Sequence, residues 1–178
     1  MPRILPVRLE TADPKTSALL SNLKQRTGMV PNLVSTMAQS PTVATAYLGF
    51  SEALAGGRLP ALLREQISLA VGQANDCGYC VAAHCALGQK AGLSVEDVAQ
   101  ARHATASEDK SGVALAFARK LVDSRGRVAD ADLDGLRKVG YDDGEINEIV
   151  ANVALNIFTN YFNHVAETEI DFPAAPKL

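Results

Sequence analysis

The sequence predicts an all-α protein. Ala, Leu, Glu, Lys, Arg and Gln dominate it, and these residues favour helices. Apolar residues recur at helical spacing, while alternating β-branched runs are scarce, so no segment reads as a strand. Gly and Pro fall between the periodic stretches, where helices should start and stop.

Thr16 to Arg26 is amphipathic, with Leu19, Leu20 and Leu23 on one side, and Gly28 and Pro31 break it. A short turn follows near Leu33 to Met37. Ser40 then caps a helix that carries Pro41 at its first position and runs to about Leu54, ended by Gly56 and Gly57. Pro60 opens a long helix to about Asn75. Gly78 restarts the chain, and the next helix runs from about Tyr79 to Ala91, with Gly92 as its stop. Ser94 and Asp97 form a capping-box variant that opens another. Ser111 to Asp123 and Asp130 to Val139 follow. The last helix, about Asp143 to Glu167, presents Ile146, Ile149, Val150, Val153 and Ile157 as an apolar face. The closing DFPAAPKL, with two prolines, should be extended.

At 178 residues the chain suits one domain, expected over 1–178 with a core of about 16–168 and a Pro-containing tail at 171–178. Hydrophobic residues make up 47% and charged residues 21%, a balance that supports a packed core and argues against global disorder. The formal charge is −3 and no stripe of Lys and Arg exists, so nucleic acid is not expected as a partner. The opening MPRILPVRLETADP has no apolar core of a secretory signal, and no run of about 18 apolar residues occurs. A cytoplasmic location with no membrane partner is therefore the expectation.

An internal similarity bears on architecture. Glu65 precedes His84 by 19 positions, and Glu145 precedes His164 by the same 19. Either the second segment is a degenerate copy of a helical unit that lost its thiols, or two amphipathic helices align by chance.

The chemistry concentrates in Cys77-Gly78-Tyr79-Cys80-Val81-Ala82-Ala83-His84. Three cysteines within nine positions are not a secreted disulfide framework; in a reducing compartment they suit redox chemistry or metal binding. A C-x-x-C pair at a helix start brings two sulfurs within disulfide reach, and the helix N-terminus favours a thiolate. Cys80 and His84 stand at i and i+4, on one helical face, so His84 can take or relay the thiol proton. Gly78 allows a tight turn beside the sulfurs. Glu65, twelve residues before Cys77 on the preceding helix, can meet and orient His84. In many C-x-x-C motifs the first sulfur is the more acidic, which favours Cys77 as nucleophile; the shared face with His84 favours Cys80.

This E-x11-C-x-x-C-x-x-x-H pattern resembles the alkylhydroperoxidase AhpD-like family of the carboxymuconolactone decarboxylase superfamily. The strict motif covers Glu65 to His84, and the broader resemblance extends from Gly28–Asn32 to Asn160–His164. It implies an AhpD-like helical domain and a hydroperoxide reductase with Cys80 attacking peroxide, Cys77 as its disulfide partner, and Glu65 and His84 as proton relay. It implies no bound cofactor, an external dithiol or protein reductant, and a homo-oligomer, a trimer or hexamer. One departure is Tyr79, where the best-known members carry a second His.

Other readings stay open. The four site residues can act as zinc ligands, although a structural zinc site normally draws on a second Cys/His pair that this chain lacks, so no metal is expected. Glu65 and His84 alone can serve a decarboxylase acting on a small carboxylic acid or lactone, and the dithiol can belong to a non-enzymatic adaptor. Cys85 is read as a core thiol and His103 as solvated. Tyr79, Asn160 and His164 are candidate pocket residues: Tyr79 either donates near the sulfurs or packs, and His164 lines a polar pocket, meets a subunit or is structural. Phe158, Tyr161 and Phe162 are read as core or oligomer interface.

Overall fold

The computed structural model describes residues 1–178, which form nine α-helices and no strand: α1 (Pro14–Thr27), α2 (Asn32–Met37), α3 (Pro41–Ala55), α4 (Ala61–Ala74), α5 (Gly78–Ala91), α6 (Val95–Arg102), α7 (Asp109–Ser124), α8 (Asp130–Lys138) and α9 (Asp143–Ala166). The predicted helices are all present. Expected punctuation does its work at Gly28 and Gly92, left-handed at φ 86° and 118°, where a side chain would be strained. The Ser94–Asp97 box forms in both directions. Ser40 occupies the N-cap of α3 but its hydroxyl makes no capping bond.

Helix α4 is the axis. Gln66 to Gly72 are buried without interruption, so every side of that stretch is covered, and α5, α6, α7 and α9 surround it. A helix buried all round belongs at the centre of a fold. Complete burial of a side chain such as Ile67 or Val71 stabilises by about 1.5–3 kcal/mol.

The apolar interior divides into two clusters. The larger joins α4 to α7 and α9 through Ile67, Val71, Leu115 and Ile149, and Cys85 belongs to it. The smaller packs Leu20 of α1, Val34 and Met37 of α2 and Ala44 of α3 against Cys77, Tyr79, Cys80 and Ala83. The C-x-x-C pair thus sits beneath the N-terminal helices, and Cys85 points the other way, as expected of a core thiol.

Three expectations are corrected. Val150 is 42% exposed, because the α9 stripe that meets α4 runs through Ile146, Ile149, Val153 and Asn156 instead. Residues 143–166 form one unbroken helix, so Glu145 and His164 are separated by roughly 28 Å along a single axis. Glu65 and His84, by contrast, meet across two helices, and the 19-residue match is not a second copy of that hairpin. The tight turn before the thiols is made by Asp76, at φ 53°, and not by Gly78, which is already helical.

No helix is long and apolar enough to cross a membrane.

Candidate active site

The site is built on the α4–α5 hairpin. Asp76 reverses the chain, and the Cys77 amide donates to the Gly72 carbonyl at 2.9 Å. Cys77 becomes the N-cap of α5, its Sγ accepting from the Cys80 amide at 3.3 Å. One turn on, Cys80 faces α4 at Gly72, where an added Cβ would stand 3.4 Å from the Cys80 Cβ. One further turn brings His84 to Glu65 of α4, and Nδ1 donates to Oε2 at 2.8 Å. A carboxylate can only accept there, so the bond selects the tautomer and leaves Nε2 without a protein partner.

Helix α9 supplies the remaining contacts to sulfur. Asn163 Nδ2 lies 3.2 Å from Cys80 Sγ and 3.9 Å from Cys77 Sγ. Asn160 accepts from Asn75 Nδ2 at 2.9 Å, and its own buried Nδ2 has no hydrogen-bond acceptor within geometric reach.

These contacts separate the two thiols. The Cys77 thiol donates to Cys80, which, against the cost of burial and helped by His84 and the Asn163 and Asn160 amides, brings Cys80 down to about 6. Cys77 is pushed well above the ordinary thiol range, because its proton is engaged by Cys80 and because it is buried. Burial works against a charged His84, but the charge and hydrogen bond of Glu65, with the Cys80 thiolate, outweigh it and raise the imidazole. The arrangement sets an acidified thiol at Cys80 beside an imidazole whose charged form is favoured.

A cavity of about 220 Å³ opens onto this group. Cys80, His84 and Glu65 line it and Cys77 does not. Leu33, Val34, Tyr47 and Leu155 give it apolar surface, and Arg64, Ser68, Asn152 and Asn156 form a polar side. No three or more His, Cys, Asp or Glu side chains are grouped to hold a metal ion.

Residues 41–123 match the carboxymuconolactone decarboxylase family. The fold is similar to that of an alkylhydroperoxidase AhpD core, an uncharacterized peroxidase-related protein from Ralstonia eutropha JMP134, with TM-score 0.87 and 25% identity over 96% of this chain and 92% of that one. The fold is AhpD-like. A peroxidase-related protein from Silicibacter sp. TM1040 shares the fold at TM-score 0.82 and 24% identity over 94% and 92% of the two chains. The debrominase Bmp8, solved as a Cys-to-Ala variant in complex with 2,3,4-tribromopyrrole, shares it at TM-score 0.81 and 23% identity over 95% and 91%. No curated protein matches the chain.

Within this AhpD-like hairpin, the structure brings together Glu65, Cys77, Cys80 and His84, with Asn160 buried beside them. It does not bring in His164, which is exposed on the outer side of α9. Tyr79 contributes its ring to the cavity, but its hydroxyl turns away from the sulfurs, accepting from the Leu33 amide at 3.1 Å and donating to Asp171 Oδ1 at 2.8 Å. At the position of the family's second histidine, this AhpD-like chain therefore has an anchor for its tail. Phe172 packs edge-on against Tyr79 with centroids 5.8 Å apart and also lines the cavity.

Sequence reasoning missed Arg64, Tyr47, Phe172 and the sulfur contact of Asn163. The Asn156, Asn160, Asn163 run was a usable signal, since amides spaced at i, i+4 and i+7 on an otherwise apolar helix face must find partners inside. Tyr47 had none. Its hydroxyl makes no hydrogen bond within the protein, and burial together with the Cys80 and Glu65 charges pushes it up to about 12, so it stays a donor.

Proposed function

We propose that this protein is a thiol-dependent hydroperoxide reductase. The observation that supports the reading most directly is that Cys80, the acidic thiol, lines the cavity with the Glu65–His84 pair, while Cys77 waits behind it.

The Cys80 thiolate attacks the terminal oxygen of ROOH. The S–O bond forms as the O–O bond breaks, and the departing alkoxide takes a proton from the His84 imidazolium. The products are Cys80 sulfenic acid and ROH. The half-buried Glu65 carboxylate holds the ring and favours its charged form before the transfer. Cys77 then attacks the sulfenic sulfur. A disulfide forms, and the sulfenic hydroxyl leaves as water with the Cys77 proton. An external dithiol reduces the disulfide by exchange, restoring both thiols and leaving as its own disulfide. The cycle needs no bound cofactor and no metal.

Purified protein given an organic hydroperoxide and dithiothreitol should consume both in equal amounts, well above the uncatalysed rate. Consumption no faster than in the absence of protein contradicts the reading.

A homo-oligomer, trimer or hexamer, belongs to the same proposal. Val150, Phe158, Tyr161 and Val165 leave an exposed apolar stripe along α9 that a second copy would cover. Light scattering that returns a monomer mass rejects this part alone.

A further inference from the structure

We propose that the Arg64 side of the cavity is a carboxylate-binding subsite, so that the favoured substrates are small organic hydroperoxides bearing an anionic head group. The substrate class rests on the peroxidase reading; the subsite itself does not.

Arg64 lines the cavity, and the only hydrogen bond of its side chain is from Nη1 to the Leu59 carbonyl at 2.6 Å. Both carboxylates near it are committed elsewhere. Glu65 holds His84 at 2.8 Å. Glu148 feels the Arg64 charge but accepts from the Arg58 and Leu59 amides at 2.8 and 3.0 Å. The guanidinium thus keeps most of its donors free beside the cavity, and such a fork is matched by the two oxygens of a carboxylate.

The same polar side carries two buried amides. Asn152 and Asn156 are each 4% exposed. Their Nδ2 groups are used on the Glu148 carbonyl at 2.8 Å and on the Asn152 carbonyl and Ser68 Oγ at 2.9 and 3.0 Å. Neither Oδ1 has a protein donor, which leaves two acceptors for a ligand O–H or a bridging water.

Cys80 packs at the level of Gly72, eight residues along α4 from Arg64, or roughly 12 Å along the axis. An aromatic ring or short chain between head group and hydroperoxide spans this distance, with apolar cavity surface on its other side.

The test compares a charged probe with its neutral isostere, in binding and in turnover. Isothermal titration should give para-isopropylbenzoate at least about tenfold tighter binding than para-isopropylbenzamide, as expected of a charge-assisted pair. That preference should shrink with added salt, fall to near unity in Arg64→Gln, and survive in part in Arg64→Lys. In turnover, cumene hydroperoxide carrying a para-carboxylate should exceed plain cumene hydroperoxide in kcat/KM by a similar ratio. If Arg64→Gln does not fold, judged by circular dichroism, the wild-type acid-to-amide ratio and its salt dependence decide. Equal binding of acid and amide, binding of neither, or a preference that persists in folded Arg64→Gln overturns the subsite. Arg64-dependent binding of the acid with neither hydroperoxide reduced keeps the subsite and rejects the peroxidase reading.

Discussion

His84 Nδ1 lies 2.8 Å from Glu65 Oε2, a bond made across the α4–α5 hairpin between residues 19 positions apart. It decides what His84 can do. Burial alone would favour neutral imidazole, and the Glu65 carboxylate reverses that preference. The histidine on the face of Cys80 is thereby held ready to give up a proton as the O–O bond breaks.

Replacing either partner should slow peroxide reduction without unfolding the protein. His84→Ala removes the acid and should cost about 10²–10⁴-fold in kcat/KM. Glu65→Gln keeps shape and an acceptor but loses the charge, so its loss should be smaller. Steady-state kinetics beside a thermal melt checks both.

The pH dependence follows from the same groups. Cys80 lies below the ordinary thiol value, at about 6, so the thiolate is present above that pH and is lost as pH falls through it. His84 is raised above 6.5, so the imidazolium persists below its raised value and is lost as pH rises through it. Peroxide reduction should therefore be bell-shaped. Glu65→Gln leaves only the Cys80 thiolate to oppose burial at His84 and should move the basic limb to lower pH, with the acid limb shifting much less.

Asn163→Leu removes the amide donor 3.2 Å from the Cys80 sulfur. A hydrogen bond to a charged group is worth about 1.5–3 kcal/mol, or roughly 1–2 pH units. The midpoint of Cys80 alkylation by iodoacetamide should rise by about that amount. An unchanged midpoint assigns the low value to Cys77, His84 and Asn160 without Asn163.

Tyr79→Phe bears on stability and the tail. It leaves the buried Leu33 amide without its acceptor and Asp171 without its donor. Destabilisation by about 1–3 kcal/mol is expected in denaturant melts. Proteolysis after the last helix should also become faster, because Asp171, which accepts from the Asn32 amide as well, then holds the tail by that bond alone.

The helices were legible because the chain punctuates them chemically. The Ser94–Asp97 box and Gly92 are local signals read by local rules, and they form as read. Glu65, Cys80 and His84 were legible because helical periodicity places them on facing sides of a hairpin. Arg64 and Tyr47 were not, since neither carries a local pattern and only packing of α3 against α9 and of α9 against α4 forms the cavity they share. The failed repeat has the same origin. Equal spacing of Glu and His says nothing about whether the chain between them turns, and Asp76 in a left-handed conformation is what makes it turn once and not twice. Gly78 is a turn residue by composition, while the backbone turns at Asp76, two places earlier.

The central claim is that Cys80 is the nucleophile and Cys77 its resolving partner. The direct measurement is one equivalent of organic hydroperoxide added to reduced Cys77→Ser and Cys80→Ser in the presence of dimedone, followed by peptide mass spectrometry. The account predicts that Cys77→Ser carries the dimedone adduct on Cys80, formed fast and in near-stoichiometric yield, while Cys80→Ser remains unlabelled at Cys77. An adduct on Cys77 in Cys80→Ser, with Cys77→Ser inert, contradicts it.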